Sequence, residues 1–219
     1  MYKLAIETTT VACSIAIEKD NRIIYQDFAE QTISHSQTLM LRIDNALKYL
    51  NLDKKDLKAV CVSNGPGSFT GIRIGLATAK GICKGLQIPL IALNTLEILA
   101  TNAFGTDKNI ITLLDARMNQ MYISIYDPNL NLLLPNQCID YEADLMSLVD
   151  EKVGKDRKFI CLGFTKFVNE NDRFQLALPH QNLLLATSQF SLLKHKKIEL
   201  KYDKVYISNI EPFYVRNVV

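Results

Sequence analysis

The sequence predicts an α/β protein in which a unit of three strands, a helix, a strand and a second helix occurs twice, giving mixed sheets with flanking helices. Two observations carry this prediction. Each half begins with an apolar run that ends in an acidic residue, Glu7 in the first half and Asp115 in the second. In each half a turn then leads into alternating apolar and polar residues, at 13–18 and at 120–127, which is the pattern of a half-buried strand. The repeated order of these signals indicates a duplicated fold.

The first copy is assigned to residues 1–106. Its opening strands are predicted from "KLAIET", "ACSIAIE" and "RIIYQDF", with Asp20 and Asn21 in the hairpin turn between the last two. The stretch "ISHSQTLMLRIDNALKYL" predicts an amphipathic helix, because apolar residues recur at helical spacing and Ser34 with Gln37 has the spacing of a capping box. "LKAVCVS" and "IPLIAL" are predicted strands, each followed by a helix.

The second copy is assigned to residues 107–219, with the junction near 105–109. It repeats the order through the strands "NIITLLD", "QMYISIYD" and "LNLLL", the helix "YEADLMSLVDEKV", the strand "KFICLG" and the helix "NLLLATSQFSLLKHKK". Nothing like the glycine-rich stretch of the first copy follows "FICLG". The second copy is therefore interpreted as degenerate.

Composition excludes several classes of protein. A hydrophobic fraction of 48%, a charged fraction of 22% and a net charge of +2 are ordinary for a soluble globular protein, and they do not mark the whole surface for nucleic acid or membrane. The opening "MYKLAIETTT" lacks a signal-peptide pattern, and Pro89, Asn94 and Glu97 interrupt the most apolar long window. Five cysteines without a C-x-x-C spacing indicate buried reduced thiols. We therefore expect a cytoplasmic protein with no membrane segment.

The stretch "SNGPGSFTGIRIGLATAKG", residues 63–81, holds five of the nine glycines. Glycine weakens a helix by about 1 kcal/mol relative to alanine, so this density needs a reason. The spacing fits neither the dinucleotide fingerprint nor the P-loop. Gly71 and Gly75 lie four residues apart and share one helix face. Three explanations stay open: close packing on the protein's own sheet, close approach of a partner helix, or an anion at the helix N-terminus.

A duplicated mixed-sheet unit is the outline of actin-like ATPases and sugar kinases. In that architecture a nucleotide lies between the halves, and Glu7 and Asp115 occupy places where carboxylates assist phosphate or metal binding. The first turn, "ETTTVACS", lacks the glycine that usually lets backbone meet a phosphate. Nucleotide contact at these two residues is one hypothesis, and an actin-like ATPase or kinase is the alternative function.

Several motifs resemble those of the TsaB (YeaZ) family. "SNGPGSFTGIRIGLATAKGICKGL" looks like the signature of that family, and "LAIETTTVACSIAI", "SHSQTLM", "LDARMNQMYISIYD" and "PFYVR" are similar to its other motifs. The resemblance is dense over residues 1 to about 127 and sparse beyond. It implies the actin-like fold and a structural, activating subunit that is required with TsaD and TsaE for threonylcarbamoyl transfer to the adenosine beside the anticodon of tRNAs.

The resemblance also implies a non-catalytic chain that pairs with TsaD through the helices of its first half, and that forms a homodimer through the same surface in isolation. The partner-binding residues that it indicates are His35, Leu39, Ile43, Gly65, Pro66, Gly67, Ser68, Phe69, Thr70, Gly71, Arg73, Gly75 and Thr78. On this interpretation Gly75→Glu should break both pairings and leave the fold intact.

No catalytic or metal-binding residue and no cofactor is expected. The catalytic relative holds its metal through H-x-x-x-H, whereas here the position four after His35 is Leu39. His180 and His195 are isolated, and no G-x-S-x-G motif occurs. A peptidase is therefore disfavoured.

The lysine-rich stretch at 194–204 leaves two explanations open. Its lysines could contact tRNA within the assembled complex, because each phosphate that a lysine neutralises adds salt-dependent affinity. Alternatively they form a solvated helix end that the helix dipole favours.

Overall fold

The computed structural model describes residues 1–30 and 35–215, and for His35 the backbone alone. Five strands belong to the first half of the chain: β1 (Tyr2–Glu7), β2 (Ala12–Lys19), β3 (Arg22–Glu30), β4 (Leu57–Gly65) and β5 (Leu90–Asn94). Five belong to the second half: β6 (Asn109–Arg117), β7 (Gln120–Tyr126), β8 (Leu132–Asp140), β9 (Phe159–Gly163) and β10 (Phe174–Leu176).

The two sheets share one topology. The first has the strand order β3-β2-β1-β4-β5 and the second β10-β9-β6-β7-β8. In each sheet the three opening strands pair antiparallel, and the next two join in parallel. The short β10 takes the place in the second sheet that β5 has in the first. The predicted α/β fold with a duplicated mixed-sheet unit is confirmed.

Six α-helices connect or flank the strands in the described part of the chain: α1 (His35–Tyr49), α2 (Phe69–Leu86), α3 (Thr95–Ala100), α4 (Leu145–Lys152), α5 (Ala186–Lys196) and α6 (Lys204–Asn209). Ser34, the first residue of the capping box predicted for α1, lies outside the described residues. Helix α2 begins after Ser68, whose Oγ accepts a hydrogen bond from the Gly71 N–H at 3.2 Å. It ends at Gln87 in the left-handed conformation.

Helices α1 and α2 cover one face of the first sheet. Leu4 and Ile6 of β1 share a buried cluster with Leu39 and Ile43 of α1 and with Leu76 of α2. Because side chains alternate along a strand, Ala5 and Glu7 point to the other face. Helix α5 covers that face, as its Gln189 donates to the Ile6 carbonyl at 2.7 Å. The second sheet has its own buried cluster, which α4 completes through Leu145 and Val149.

The chain divides into two compact units that differ from the predicted halves. Unit 1 comprises Met1–Thr95 and Leu185–Phe213, and unit 2 contains Leu96–Leu184. The boundary predicted at 106/107 separates the two copies of the repeat, and it falls between β5 of the first sheet and β6 of the second. The compact units depart from it because α5 and α6, which come late in the sequence, fold back onto the first sheet and onto α2. The predicted last helix also starts later than expected, at Ala186.

In the described residues, every helix is too short or too polar to cross a lipid bilayer.

Candidate functional site

The glycine-rich stretch packs against the turn that follows β1. The Thr8 Oγ1 donates to the Gly71 carbonyl at 2.8 Å, and the Ser68 N–H donates to the Thr9 carbonyl at 2.7 Å. A Cβ at Gly71 would lie 1.9 Å from the Thr8 carbonyl oxygen, and one at Gly75 would lie 2.4 Å from the Thr8 Oγ1. Both distances are far inside van der Waals contact. Of the three explanations for these two glycines, the structure selects close packing within unit 1.

Several residues predicted to bind a partner are therefore buried in unit 1. Leu39 and Ile43 are 1% and 3% exposed and face the first sheet, because the apolar spacing that predicts a helix also defines its buried side. Gly65, Pro66, Gly71 and Gly75 are buried as well. These six residues, predicted to bind a partner, are therefore not exposed to one in the isolated chain. Because a Cβ at Gly75 would lie 2.4 Å from the Thr8 Oγ1, we now expect Gly75→Glu to disturb the fold as well as any pairing.

The other predicted residues lie at or near the surface. Ser68, Phe69, Thr70 and Arg73 are exposed, and Gly67 and Thr78 are half-buried. The side chain of His35 lies outside the described residues. The Arg73 guanidinium lies 3.8 Å from the centre of the Phe69 ring, a cation–π arrangement that fixes both side chains at the start of α2.

Sequence reasoning missed the outward side of α2. Ala77, Gly81 and Gly85 are exposed and follow one another at intervals of four residues. A Cβ added at Gly81 or Gly85 would meet no atom within 4 Å. The same spacing was visible in the sequence, but the side of α2 that meets the sheet was not.

Helix α1 also carries exposed apolar side chains. Met40 and Leu41 are 55% and 59% exposed. We define the outer α1–α2 face as the exposed surface formed by Met40, Leu41, Phe69, Arg73, Ala77 and Gly81. Methionine, aromatic and arginine side chains are the residue types enriched in protein interfaces, so this surface is chemically suited to another protein.

Glu7 has no exposed surface and lies at the centre of a polar cluster. Its Oε1 accepts from the Thr9 N–H at 2.8 Å and from the Thr9 hydroxyl at 2.5 Å. Its Oε2 accepts from the Ser63 hydroxyl and, at 3.4 Å, from the Gln189 side-chain amide. Burial raises the pKa of Glu7 above its ordinary value, although the hydrogen bonds from Ser63, Thr9 and Gln189 act in the opposite direction.

The Glu7 cluster joins three elements of unit 1: β1, β4 and α5. Gln189 also donates to the Ser63 Oγ at 3.1 Å, and the Ala186 N–H at the start of α5 donates to the Ser14 Oγ at 3.1 Å. Because both Glu7 oxygens accept hydrogen bonds from the protein's own donors, the Glu7 side chain connects β1 to β4 and α5. These contacts give no support to the hypothesis of nucleotide contact at Glu7.

Asp115, in unit 2, organises the turn between β6 and β7. Its Oδ1 accepts from the Tyr141 hydroxyl and from the Arg117 N–H, both at 2.7 Å, and its Oδ2 lies 3.3 Å from the Arg117 guanidinium. The hydrogen bond to Asp115 raises the pKa of Tyr141. The Tyr141 ring stacks on Phe167 at 4.3 Å. Asp115 therefore positions local side chains, and the contacts give no support to the nucleotide hypothesis there.

Four of the five cysteines are core residues, as predicted, whereas Cys138 is only partly buried. Cys13, Cys61, Cys83 and Cys161 are buried, and burial raises the pKa of the last three to about 12, which keeps the thiols protonated. Among the residues that the structure describes, no three histidine, cysteine or acidic side chains lie close enough together to hold a metal ion.

Known proteins similar to this chain identify its family. Residues 28–201 match the family model described as TsaD, tRNA N6-adenosine threonylcarbamoyltransferase. The tRNA threonylcarbamoyladenosine biosynthesis protein TsaB of Bacillus subtilis (strain 168) is 33% identical over 166 residues, which cover 74% of this chain and 71% of that protein. The protein of the same name from Escherichia coli (strain K12) is 27% identical over 225 residues, covering 100% and 96%.

A solved structure shows the same fold. YeaZ from Pseudomonas aeruginosa superposes with a TM-score of 0.76 at 21% sequence identity, and the match covers 97% of this chain and 99% of that one. The family model spans more than half of the chain, and the Bacillus relative exceeds 30% identity over more than two thirds of its own length. The chain therefore belongs to the protein family that the TsaD model describes and, within it, to the TsaB (YeaZ) proteins.

Proposed function

We propose that this protein is an accessory subunit in the biosynthesis of threonylcarbamoyladenosine in tRNA. The observation that carries the proposal is the similarity to TsaB over the whole chain, since the Escherichia coli protein aligns with 100% of it. In this role the protein carries no chemistry of its own and enables TsaD, acting with TsaE, to transfer the threonylcarbamoyl group to tRNA.

Three features support a subunit without catalytic residues. Both oxygens of Glu7 are occupied by donors of the protein itself. Asp115 is engaged by Tyr141 and Arg117. The position where a second metal-binding histidine would stand holds Leu39, which is buried in the core of unit 1. These contacts do not support the alternative function of an actin-like ATPase or kinase.

The outer α1–α2 face is the surface that we propose for TsaD, and for a second copy of this chain when TsaD is absent. Its exposed Met40 and Leu41 would lose apolar surface to a partner, which stabilises association by about 25 cal/mol per Å² before the costs of binding. Gly81 leaves room on α2 for a partner helix to approach closely, because a Cβ there would meet no atom within 4 Å.

Depleting the protein from its host cell tests the proposed function. Nucleosides from tRNA digests, quantified by mass spectrometry, should show a fall in threonylcarbamoyladenosine that tracks the fall in protein. Restoring the wild-type chain should restore the modification. A modification level that is independent of the protein would contradict the proposal.

Gly81→Glu should abolish the complex with TsaD without unfolding the chain. The Cβ of the new side chain would lie on the outer α1–α2 face and meet no atom within 4 Å, and an unpaired carboxylate buried at an interface is strongly unfavourable. Light scattering coupled to size-exclusion chromatography measures the complex, and circular dichroism measures the fold.

Asn169→Glu is the matched control for that experiment, because Asn169 is exposed in unit 2 and receives the same new charge. The control variant should pair with TsaD like the wild type. A Gly81→Glu variant that pairs normally would place the interface elsewhere.

A further inference from the structure

The positive charge of the chain is unevenly distributed. Residues 194–204, which we call the lysine segment, contain five lysines, one glutamate and one aspartate, a net charge of +3, whereas the whole chain carries +2. The remaining residues together therefore carry −1. The lysine segment runs from the last turn of α5 to the first residue of α6.

All five lysines of the segment are exposed. The negative charges offset them only partly. Asp203 caps α6, where its Oδ1 accepts from the Val205 N–H at 2.8 Å and from the Tyr206 N–H at 2.9 Å. Glu199 is the other acidic side chain of the segment, and it too is exposed. The segment thus presents a solvent-facing excess of cations.

Helix dipoles account for part of this arrangement. Lys194 and Lys196 lie in the last turn of α5, where a cation interacts favourably with the helix end. Lys201 lies between the two helices, and Lys204 opens α6, an end at which a cation is disfavoured. The helix dipoles therefore explain the positions of only some of the lysines in the segment.

The neighbourhood of the lysines favours RNA over a lipid surface. Tyr206 is 45% exposed two residues after Lys204, so an aromatic ring on which an unpaired base can stack lies beside the cations. A basic helix that binds membranes needs a long apolar face, whereas α6 has six residues and buries Ile207 in the protein core.

The lysine segment is also tied to the helix that we propose for TsaD. The Lys80 Nζ of α2 donates to the Ser208 carbonyl at the end of α6 at 3.2 Å. This contact fixes α6 on α2, so the position of the segment relative to α2 is defined within unit 1.

We infer that the lysine segment binds the phosphate backbone of the substrate tRNA while this chain is paired with TsaD. The inference rests on the proposed function. It assigns to this chain a direct contact with RNA, made by Lys194, Lys201 and Lys204 through charge and independent of base sequence.

The test compares two triple variants in the complex with TsaD. The first carries Lys194→Gln, Lys201→Gln and Lys204→Gln. The control carries Lys152→Gln, Lys155→Gln and Lys158→Gln, which removes the same charge from exposed lysines of unit 2. The probe is an unmodified transcript of a tRNA that reads codons beginning with A, and its affinity is measured between about 50 and 200 mM salt, a range over which phosphate contacts weaken strongly.

For the first variant, the plot of log affinity against log salt should become shallower by about 2 to 3, close to one for each lost phosphate contact. The control should keep the wild-type slope. An unchanged slope in the first variant, or an equal change in both variants, would overturn the inference. Binding of phosphatidylserine vesicles through the segment with no change in tRNA affinity would overturn it as well.

Light scattering on the same samples measures whether the chain forms the complex with TsaD. This measurement distinguishes failure of the proposed function from failure of the RNA contact. If the wild-type chain forms no complex with TsaD, the proposed function fails. If the complex forms and the slope is insensitive to Lys194, Lys201 and Lys204, the RNA contact alone fails.

Discussion

Gly71→Ala should lower the free energy of unfolding by about 3 kcal/mol or more, at the upper end of what overpacking costs, whereas Gly81→Ala should raise it by up to about 1 kcal/mol. The two substitutions are identical and lie on one helix. At Gly71 the new methyl group would lie 1.9 Å from the Thr8 carbonyl oxygen, so the backbone of α2 or of the β1–β2 turn must move. At Gly81 it meets nothing and only improves helix propensity.

Urea denaturation of both variants, followed by circular dichroism, measures this difference. Equal and small changes at the two positions would show that α2 does not sit as closely on the turn at Thr8 as described. A stabilising Gly71→Ala would contradict the close packing outright.

Glu7→Ala should lower the free energy of unfolding by about 3 kcal/mol, because it leaves a cavity and deprives buried donors of their acceptor. The Thr9 N–H, the Thr9 hydroxyl and the Ser63 hydroxyl all point at the Glu7 carboxyl group. The cluster also holds Gln189 of α5, so the variant should loosen the docking of α5 on the first sheet. Hydrogen exchange of the α5 amides measures that loosening.

The charge of Glu7 also predicts a pH dependence of stability. Burial raises its pKa in the folded protein above the ordinary value of 4.5, so between these two pKa values the folded state binds more protons than the unfolded state. The contribution of Glu7 to stability is therefore present below the ordinary value and is lost as pH rises through the folded pKa. The matched variant Glu7→Gln cannot ionise and should lack this component.

Urea midpoints measured across the acidic to neutral range, for the wild type and for Glu7→Gln, test the sign. The difference in stability, wild type minus variant, should fall as pH rises. A difference that grows with pH would mean that the hydrogen bonds from Thr9 and Ser63 outweigh burial.

Much of the fold was predictable because its signals are local. Alternation in residues 13–18 and 120–127 predicts strands, and both occur, in β2 and β7. Among the strands and α-helices of the described residues, two were missed. β10 has three residues and α6 has six, which are too few for either periodicity to be recognised. The docking of α5 on the first sheet depends on a contact between Gln189 and Ile6, residues that lie 183 positions apart, and no local pattern reports it.

The candidate site was predictable in part. The glycine-rich stretch predicted a helix, which is α2, and Phe69, Thr70 and Arg73 of the predicted partner-binding set are exposed on it. Its pattern could not tell which glycines meet the protein's own backbone, because Gly71 and Gly81 look alike until the turn at Thr8 is in place. Leu39 shows the same limitation, since an apolar residue at helical spacing belongs first to the core.

The most direct test of the central claim is a reconstituted transfer reaction. Purified TsaD and TsaE, threonylcarbamoyl-adenylate and an unmodified tRNA transcript are incubated with the wild-type chain, with Gly81→Glu, with Asn169→Glu or with no addition, and the modified nucleoside is quantified. The account predicts modification with the wild type and with Asn169→Glu, and a background level in the other two reactions. Full modification in the absence of this chain would contradict it.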